Sequence, residues 1–293
     1  MKKISLNANA KINLFLEVGL RRADGYHDIE SVMQSVTLAD TVSVAAGEGL
    51  PHGIALKCGS LPADERNIAY RAAAHFYAAA GIEPQASIVV EKNIPVAAGL
   101  AGGSTDGAAV LRALNFLYDG VLDTAHLLDI AARIGADVPF CLVGGTVLAG
   151  GIGELLTPCA ELPDCCILIV KRSEGVLTPE AFREIDRVRE GGGYVPRRSD
   201  GMLAALAGGS IENIGANLYN AFGTLPYAVR LGTVDIAGIC SALGGYPLLS
   251  GSGPSVFSLF EDEKRAAAAM NAVRDKFPDA AAFLCRPAGK NKI

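Results

Sequence analysis

The sequence has no C-x-x-C pair, and its seven cysteines are an odd number. An odd count without paired spacing argues against a disulfide scaffold and against a zinc site of the usual spacing. Several cysteines lie in apolar runs, as in residues 165–170, where a buried thiol without chemistry is the favoured interpretation. We therefore expect a reducing compartment, the cytoplasm.

No long basic run is present, and 26 lysines and arginines stand against 31 aspartates and glutamates, a formal net charge of −5. This balance argues against nucleic acid as the main partner. The longest uncharged stretch, residues 236–260, has the length of a membrane span, but glycines, prolines and serines divide it into short pieces. The first residues contain no unbroken apolar core, so we expect neither a secretory signal nor a membrane segment.

Glycine, by contrast, is abundant, with 34 of 293 residues against a usual share of about 7%. One explanation is the many turns of a mixed α/β chain. The other is close approach of the backbone to a ligand, which glycine permits because it has no Cβ. The length predicts one large or two modest domains.

The chain opens with apolar residues at alternate positions from Ile4 to Val18, which predicts a half-buried strand or strand pair. The polar face of this strand carries Asn9, Lys11 and Asn13 in a row. Neighbours two apart on one face are about 7 Å apart, close enough to serve one bound group. A solvated edge face explains the same pattern, and both interpretations stay open.

Further along, residues 67–80 predict a helix with Asn67 as N-cap and Gly81 as its end. Shorter runs predict strands at residues 32–38, 41–45, 54–58, 87–91 and 255–260, and a second capped helix at residues 124–134, ended by Gly135.

Residues 95–107 (PVAAGLAGGSTDG) form a glycine-rich loop between a strand and a helix. Such a loop can turn its N–H groups inward, and the helix adds its unpaired N-terminal amides and the positive end of its dipole, which suits phosphate. Ser104 and Thr105 are candidates to cap the helix or to contact phosphate oxygens and a metal ion. The loop matches neither the Walker A nor the G-x-G-x-x-G pattern, so an ordinary tight connection remains the alternative.

Two other segments have unusual chemistry. Asp137 lies among Ala, Val, Pro and Phe, so we expect its side chain to be partly buried. A partly buried carboxylate is expected to have a compensating partner group or a functional role. Residues 250–255 (SGSGPS) form a second glycine-rich turn that leads into a strand. Two such loops far apart in sequence predict that both halves of the chain contribute to one site.

Three segments together resemble the GHMP kinase superfamily: residues 10–14 (AKINL), the loop at 95–106 and the turn at 250–257. Within it, residues 24–27 (DGYH), 135–140 (GADVPF) and 178–182 (TPEAF) are similar to the kinases that phosphorylate a diphosphocytidyl derivative of methylerythritol in non-mevalonate isoprenoid synthesis.

The resemblance implies an α+β fold of two lobes, a mixed α/β N-terminal lobe and a ferredoxin-like α+β C-terminal lobe, with the active site between them. We place the division near Gly150, which gives domains at residues 1–150 and 151–293. The partners implied are ATP with Mg²⁺ and a small cytidyl-diphosphate sugar alcohol. The sequence leaves open the metal ligands and whether the chain is a monomer or a homodimer.

The resemblance also implies roles for single residues. Asp137 accepts the proton of the substrate 2-hydroxyl or orients it, while Lys11 keeps Asp137 ionised and offsets phosphoryl charge. The residues implied to bind the nucleotide are Asn67, Lys92, Pro95, Val96, Ala97, Ala98, Gly99, Leu100, Ala101, Gly102, Gly103, Ser104 and Thr105. Those implied to bind the substrate are Asn13, Tyr26, His27, Thr178 and Phe182.

Simpler interpretations exist for some of these residues. An N-cap role explains Asn67, a solvated strand end explains Lys92, a surface position explains His27, and a place in the core explains Phe182. The segment at 183–200, with three consecutive glycines and a pair of arginines, predicts an exposed connection.

The loop departs from the family pattern, because Ala97, Ala98 and Ala101 stand where glycine is common, and Thr105 replaces serine. If one of these alanines requires a positive φ, it is strained.

Two other functions stay open. The first is a kinase of the same superfamily for another small alcohol, such as homoserine, mevalonate or a sugar; the Tyr26–His27 pair and Phe182 argue against it. The second is a non-catalytic nucleotide-binding regulator on the same fold. Lys11 and Asp137 argue against the regulator, since a sensor needs neither.

Overall fold

The structure is a computed structural model that describes residues 1–172, 178–190, 195–230 and 232–293. Its first sheet comes mostly from the first half of the chain. The strands are β1 (Lys2–Arg21), β2 (His27–Ala46), β3 (Gly53–Lys57), β4 (Gln85–Glu91), β5 (Thr146–Gly150) and β6 (Leu155–Pro158). Their order is β3-β4-β2-β1, and the first part of β2 pairs with β5, which pairs with β6.

Strand β1 is paired with β2 along nearly its whole length, with irregular register at Asn9/Lys11 and Asn13/Phe15. On its other side the short strand β8 (Tyr219–Asn220) pairs with it in parallel. The polar residues Lys11 and Asn13 are buried. The interpretation of this face as a solvated edge is therefore wrong at these two residues, because the backbone of residue 100 is hydrogen-bonded to β1 there.

Strand β2 is continuous, whereas the sequence predicted two pieces, 32–38 and 41–45. Asp40 interrupts the apolar pattern between those pieces, yet it is fully buried. Its carboxylate accepts hydrogen bonds from the backbone amides of Asn93 and Ile94, so the chain has no need to turn there.

Four helices cover one face of this sheet: α1 (Ile68–Ala80), α2 (Gly102–Leu117), α3 (Thr124–Ile134) and α4 (Val138–Val143). The predicted limits of α1 and α3 are confirmed. Asn67 accepts a hydrogen bond from the amide of Ala69 at 2.9 Å, and Gly81 ends α1 in the left-handed conformation.

The second sheet belongs to the second half of the chain. Its strands are β7 (Cys166–Lys171), β9 (Tyr246–Leu249), β10 (Val256–Phe260) and β11 (Ala281–Cys285), in the antiparallel order β11-β7-β10-β9. Helices α9 (Thr233–Ala242) and α10 (Glu263–Lys276) pack on it around a shared apolar core. This β-α-β-β-α-β order is the ferredoxin-like arrangement, which confirms the predicted second lobe.

The remaining elements connect the two sheets: α5 (Thr178–Arg189), α6 (Asp200–Gly208), α7 (Ile211–Ala216), a 3-10 helix (Ala221–Thr224) and α8 (Pro226–Arg230). The domain division at residue 150 stays a prediction. The first sheet also contains β6 and β8, which come from beyond that position.

The segment at 183–200 is exposed at most of its described residues, as the sequence predicted, but it is anchored to the first sheet at two points. Its first part belongs to α5, and the Arg189 guanidinium is buried against Glu17 at 2.9 Å. Ser199 is buried as well and donates hydrogen bonds to Glu30. Glu17 of β1 binds the part of this segment before the gap, and Glu30 of β2 binds the part after it. Residues 191–194 lie outside the described residues.

Among the helices within these ranges, none has the length and apolar character needed to cross a membrane.

Candidate active site

A cleft of about 1060 Å³ opens between the first sheet with its helices and the loops of the second half. Every predicted site residue except Thr105 lines it: Lys11, Asn13, Tyr26, His27, Asn67, Lys92, Pro95, Val96, Ala97, Ala98, Gly99, Leu100, Ala101, Gly102, Gly103, Ser104, Asp137, Thr178 and Phe182. Residues that are far apart in sequence therefore share one cavity.

The Lys11 side chain, buried in β1, brings its ammonium next to two residues of the cleft. Its Nζ donates a hydrogen bond to Asn13 Oδ1 at 2.9 Å and lies 3.8 Å from Asp137 Oδ1. The amide nitrogen of Asn13 donates to the hydroxyl of Ser31, which fixes the amide so that its oxygen faces Lys11. A cation is thus held beside a carboxylate in the cleft.

Asp137 stands immediately before α4, with its side chain 35% exposed. The partial burial expected from its apolar neighbours is confirmed. The residues after it, from Val138 to Leu142, are buried, so the packing of α4 fixes the backbone that carries this carboxylate.

The glycine-rich loop packs directly on β1. The amide of Lys11 donates to the Leu100 carbonyl at 3.1 Å, and the Thr105 hydroxyl donates to the Asn9 carbonyl at 2.7 Å. Thr105 is thereby turned into the protein and away from the cleft, so its predicted contact with phosphate or metal is wrong for the side chain. Ser104, the residue before it, lines the cleft.

Helix α2 begins without a side-chain cap. The amide of Thr105 is the first to bond within the helix, to the Ala101 carbonyl at 2.9 Å. In the described part of the chain, the backbone amides of Gly102, Gly103 and Ser104 donate no hydrogen bond to another protein group. Three N–H groups at the positive end of a helix therefore face the cleft, an arrangement that suits phosphate.

The two glycine-rich loops touch. The Ser250 hydroxyl donates to the Gly99 carbonyl at 3.1 Å. A Cβ built on Gly99, whose φ is +72°, would collide with the Ser250 carbonyl and lie 2.9 Å from the Gly253 carbonyl. A close approach of backbone to backbone is thus one of the reasons for the glycine excess, and it joins the two halves at the cleft.

Ala97 and Ala101 adopt positive φ angles of 51° and 57°. Alanine in this left-handed region costs roughly 1–2 kcal/mol because of its Cβ. The conditional expectation of strain is therefore confirmed at these two positions, whereas Ala98 is not among the residues with positive φ.

Lys92 forms a buried cluster with two carboxylates. Its ammonium donates to Asp40 and, at 2.7 Å, to Asp106, and the side chains of both aspartates are almost fully buried. The interpretation of Lys92 as a solvated strand end is therefore wrong. Burial raises the pKa of Asp106 to about 7, although the nearby Lys92 lowers it.

Sequence reasoning missed both aspartates of this cluster. Asp106 lies within the segment 95–107 and Asp40 interrupts a strand pattern, but no sequence signal joins either of them to Lys92. The Asn67 side chain near them also has protein partners on both of its ends, the Ala69 amide and the Pro62 carbonyl.

At the other end of the cleft, His27 is buried and its ring lies 4.9 Å from the ring of Phe182. Tyr26 is 60% exposed at the cleft mouth, next to the turn at Gly25. The Thr178 hydroxyl lies 3.1 Å from that of Ser252, across the opening. The surface interpretation of His27 is wrong, because α5 covers the ring.

The charge of the cleft differs from that of the whole chain. Its lining includes five cationic side chains, of Lys11, Arg21, Arg66, Lys92 and Arg183, against the carboxylates of Asp106, Asp137 and Asp186. An acidic protein thus offers a cleft of positive formal charge, which favours anionic ligands.

Two family models match the chain. The model for the GHMP kinases N terminal domain matches residues 67–145, and the model for the GHMP kinases C terminal region matches residues 202–279.

Similar proteins cover nearly the whole chain. A 4-diphosphocytidyl-2-C-methyl-D-erythritol kinase from Clostridium botulinum (strain Alaska E43 / Type E3) is 37% identical over 281 residues, 94% of this chain and 98% of that protein. One of the same name from Caldicellulosiruptor saccharolyticus is 40% identical over 263 residues, 88% of each.

Solved structures agree with this. The crystal structure of a 4-(cytidine 5'-diphospho)-2C-methyl-D-erythritol kinase matches with a TM-score of 0.81 and 34% identity, covering 98% of this chain and 100% of that one. A homoserine kinase from Cytophaga hutchinsonii matches with a TM-score of 0.75 and 19% identity, covering 100% and 96%. The second likeness shows a shared fold alone.

The strain at Ala101 leads to a stability prediction. We expect Ala101→Gly to raise the free energy of unfolding by roughly 0.5–1 kcal/mol, because the relief of the left-handed strain exceeds the entropy that glycine adds to the unfolded chain. Ala98→Gly is the control. It should lower the free energy of unfolding by about 1 kcal/mol, because Ala98 has no positive φ to relieve and glycine adds entropy to the unfolded chain. Urea unfolding of both variants measures this, and equal destabilisation by the two would contradict the assignment of strain.

The Asp106 carboxyl leads to a pH prediction. Its folded-state pKa, about 7, lies above its ordinary value of 3.8, so the folded protein binds this proton more tightly than the unfolded chain does. The wild type should therefore lose stability relative to Asp106→Asn as the pH rises from about 4 to 7. Urea unfolding across this range tests it, with the exposed Asp275→Asn as control. If the free energy of unfolding changed with pH in the same way for the wild type and for Asp106→Asn, the prediction would be refuted.

Proposed function

Because the chain belongs to the GHMP kinase family and, within it, to the 4-diphosphocytidyl-2-C-methyl-D-erythritol kinases, we propose that it phosphorylates this substrate. The γ-phosphoryl group of ATP goes to the 2-hydroxyl of the methylerythritol part, a step in non-mevalonate isoprenoid synthesis. The observation that carries the proposal is the pairing of Lys11 with Asp137, 3.8 Å apart, in the same cleft as an unpaired helix N-terminus.

Phosphoryl transfer asks a protein mainly for positioning and for positive potential. In the proposed step, the substrate hydroxyl oxygen forms a bond to the γ-phosphorus while the bond from that phosphorus to the β–γ bridging oxygen breaks. ADP leaves, and Asp137 accepts the hydroxyl proton. Lys11 offsets the charge on the transferring group, and Asn13 keeps its ammonium in place.

The nucleotide lies on the loop from Pro95 to Ser104 in this proposal. The free amides of Gly102, Gly103 and Ser104 hold phosphate oxygens, and Asn67 and Lys92 form the wall beside the base. The protein partners of Asn67 and Lys92 support a role for them in shaping this wall.

Mg²⁺ neutralises phosphate charge when it is bound with ATP, and it prefers oxygen ligands. No cluster of three or more His, Cys, Asp or Glu that could hold a metal occurs among the described residues. An ion here would therefore depend on the phosphates for most of its ligands. Ser104 is the oxygen donor we propose from the chain, because Ser104 lines the cleft whereas the Thr105 hydroxyl donates to the Asn9 carbonyl.

The cytidine end of the substrate lies at the other end of the cleft in this proposal. Tyr26 and Phe182 offer rings for stacking, His27 offers a ring nitrogen, and Thr178 lies at the opening. This group of aromatic rings favours a nucleoside-bearing substrate over homoserine, mevalonate or a sugar. The Lys11–Asp137 pair favours an enzyme over a nucleotide sensor.

We further propose two domains, at residues 1–150 and 151–293, and a cytoplasmic location. All seven cysteines are free thiols, as expected in a reducing compartment.

A substitution tests the role of Asp137. We expect Asp137→Asn to leave ATP binding within about threefold of the wild type and to lower turnover by at least ~10²-fold, because the amide cannot accept the hydroxyl proton. Calorimetry with ATP and steady-state kinetics measure the two effects. Asp129→Asn, which removes an exposed carboxylate on α3, is the matched control. Near-normal turnover of Asp137→Asn would remove this residue from the mechanism.

An acceptor panel tests the substrate. With ATP and Mg²⁺, we expect transfer to 4-diphosphocytidyl-2-C-methyl-D-erythritol and not to mevalonate, homoserine or a sugar, and we expect the product phosphate on the 2-hydroxyl by ³¹P NMR. Transfer to another alcohol in place of the cytidyl compound would contradict the proposed substrate. Binding of ATP without transfer to any acceptor would favour the regulator.

A further inference from the structure

Asp186, to which sequence reasoning gave no role, contacts His27 inside the cleft. Its Oδ1 lies 2.8 Å from His27 Nε2, and both residues line the cavity. The His27 side chain is 5% exposed and that of Asp186 27%. This contact brings an acidic residue of α5 against the first residue of β2, with Phe182 packed on the same ring.

Helix α5 is held at both ends, so the contact has a fixed geometry. At its C-terminal end Arg189 forms the buried ion pair with Glu17 and donates to the carbonyls of Val18 and Gly19. At its N-terminal end the Thr178 hydroxyl lies within hydrogen-bond distance of the Ser252 hydroxyl, at 3.1 Å. Ala181 and Ile185 on its inner face are buried.

The chemistry of the contact determines which ring nitrogen carries the proton. A carboxylate only accepts hydrogen bonds, so His27 Nε2 must donate to Asp186. In a neutral imidazole the other nitrogen, Nδ1, is then an acceptor. No hydrogen bond to Nδ1 is formed by any residue in the described ranges, which leaves this acceptor available to a ligand in the cleft.

We propose that Asp186 is a positioning residue, which holds the proton of His27 on Nε2 so that Nδ1 accepts a hydrogen bond from an N–H or O–H donor of the nucleoside. This inference rests on the proposed function, in which His27 lies beside the cytidine. We assign this donor to the exocyclic amino group of cytosine or to the 2'-hydroxyl of the ribose. Uracil carries a carbonyl oxygen in place of the amino group, and an acceptor facing Nδ1 is repelled.

Asp186→Asn separates positioning from packing. Asparagine has nearly the same shape, but its NH₂ group donates, and an NH₂ that donates to Nε2 moves the ring proton to Nδ1. The same substitution at the aspartate of a Ser-His-Asp triad leaves the geometry intact and produces the wrong tautomer. Glu180→Gln, which removes an exposed carboxylate of the same helix, is the matched control.

The first measurement is the ¹⁵N NMR spectrum of the histidine side chains, with His27→Gln to assign the signals of His27. We expect Nε2 to be protonated and Nδ1 bare in the wild type and in Glu180→Gln, and a shift towards protonated Nδ1 in Asp186→Asn. The same tautomer in the wild type and in Asp186→Asn would overturn the positioning role. This readout requires no turnover, so it tests the inference separately from the proposed function.

The second measurement compares KM and kcat for the cytidyl substrate and for its uridyl and 2'-deoxycytidyl analogues. We expect Asp186→Asn to raise KM for the cytidyl substrate by about 10- to 100-fold, the effect of losing one buried hydrogen bond, with kcat within about threefold. The wild type should discriminate against the uridyl analogue if the amino group is the donor, or against the deoxy analogue if the 2'-hydroxyl is. Asp186→Asn should lose that discrimination, and Glu180→Gln should keep it.

An unchanged KM, or discrimination that Asp186→Asn retains, would overturn the inference. Equal use of all three compounds by the wild type would overturn the proposed ligand of Nδ1. If the wild type phosphorylates none of them, the proposed function fails, whereas the NMR result still decides whether Asp186 sets the tautomer.

Discussion

The contact between the two glycine-rich loops is the constraint on which the rest of the cleft depends. Gly99 lies so close to the Ser250 and Gly253 carbonyls that a Cβ on residue 99 would collide with them. The Ser250 hydroxyl donates a hydrogen bond to the Gly99 carbonyl. This contact fixes where the two halves of the chain meet. The start of α2 and the strand that carries Lys11 both adjoin the same loop, so their positions follow from it.

Two of the cationic side chains in the cleft, the buried Lys11 and the half-buried Lys92, have different surroundings. Lys92 is balanced by the carboxylates of Asp40 and Asp106, so it stiffens the entry to the loop and adds little positive potential. Lys11 has a neutral amide, Asn13, as its near neighbour and Asp137 farther away. The structure thus keeps positive potential next to the carboxylate that faces the substrate in the proposed reaction, and neutralises it at Lys92.

Local signals predicted much of this fold. The N-cap at Asn67, the ends of α1 and α3, and the order of strand, glycine loop and helix follow from chemistry within a few residues, and the family resemblance was confirmed by similar proteins over nearly the whole chain. Contacts between distant residues were not predicted. Lys92 binds Asp40 on the neighbouring strand β2, Asp186 contacts His27 from α5, and Arg189 forms a buried ion pair with Glu17 within a segment that is otherwise mostly exposed. The roles of the site residues and the domain division remain predictions.

The measurement that tests the central claim most directly is a crystal structure of the chain with a non-hydrolysable ATP analogue and 4-diphosphocytidyl-2-C-methyl-D-erythritol. The account predicts the triphosphate on the amides of Gly102, Gly103 and Ser104, the cytosine beside His27, and the 2-hydroxyl within hydrogen-bond distance of Asp137 and in line with the γ-phosphorus. A triphosphate bound away from that loop, or a 2-hydroxyl that lies far from Asp137, would contradict it.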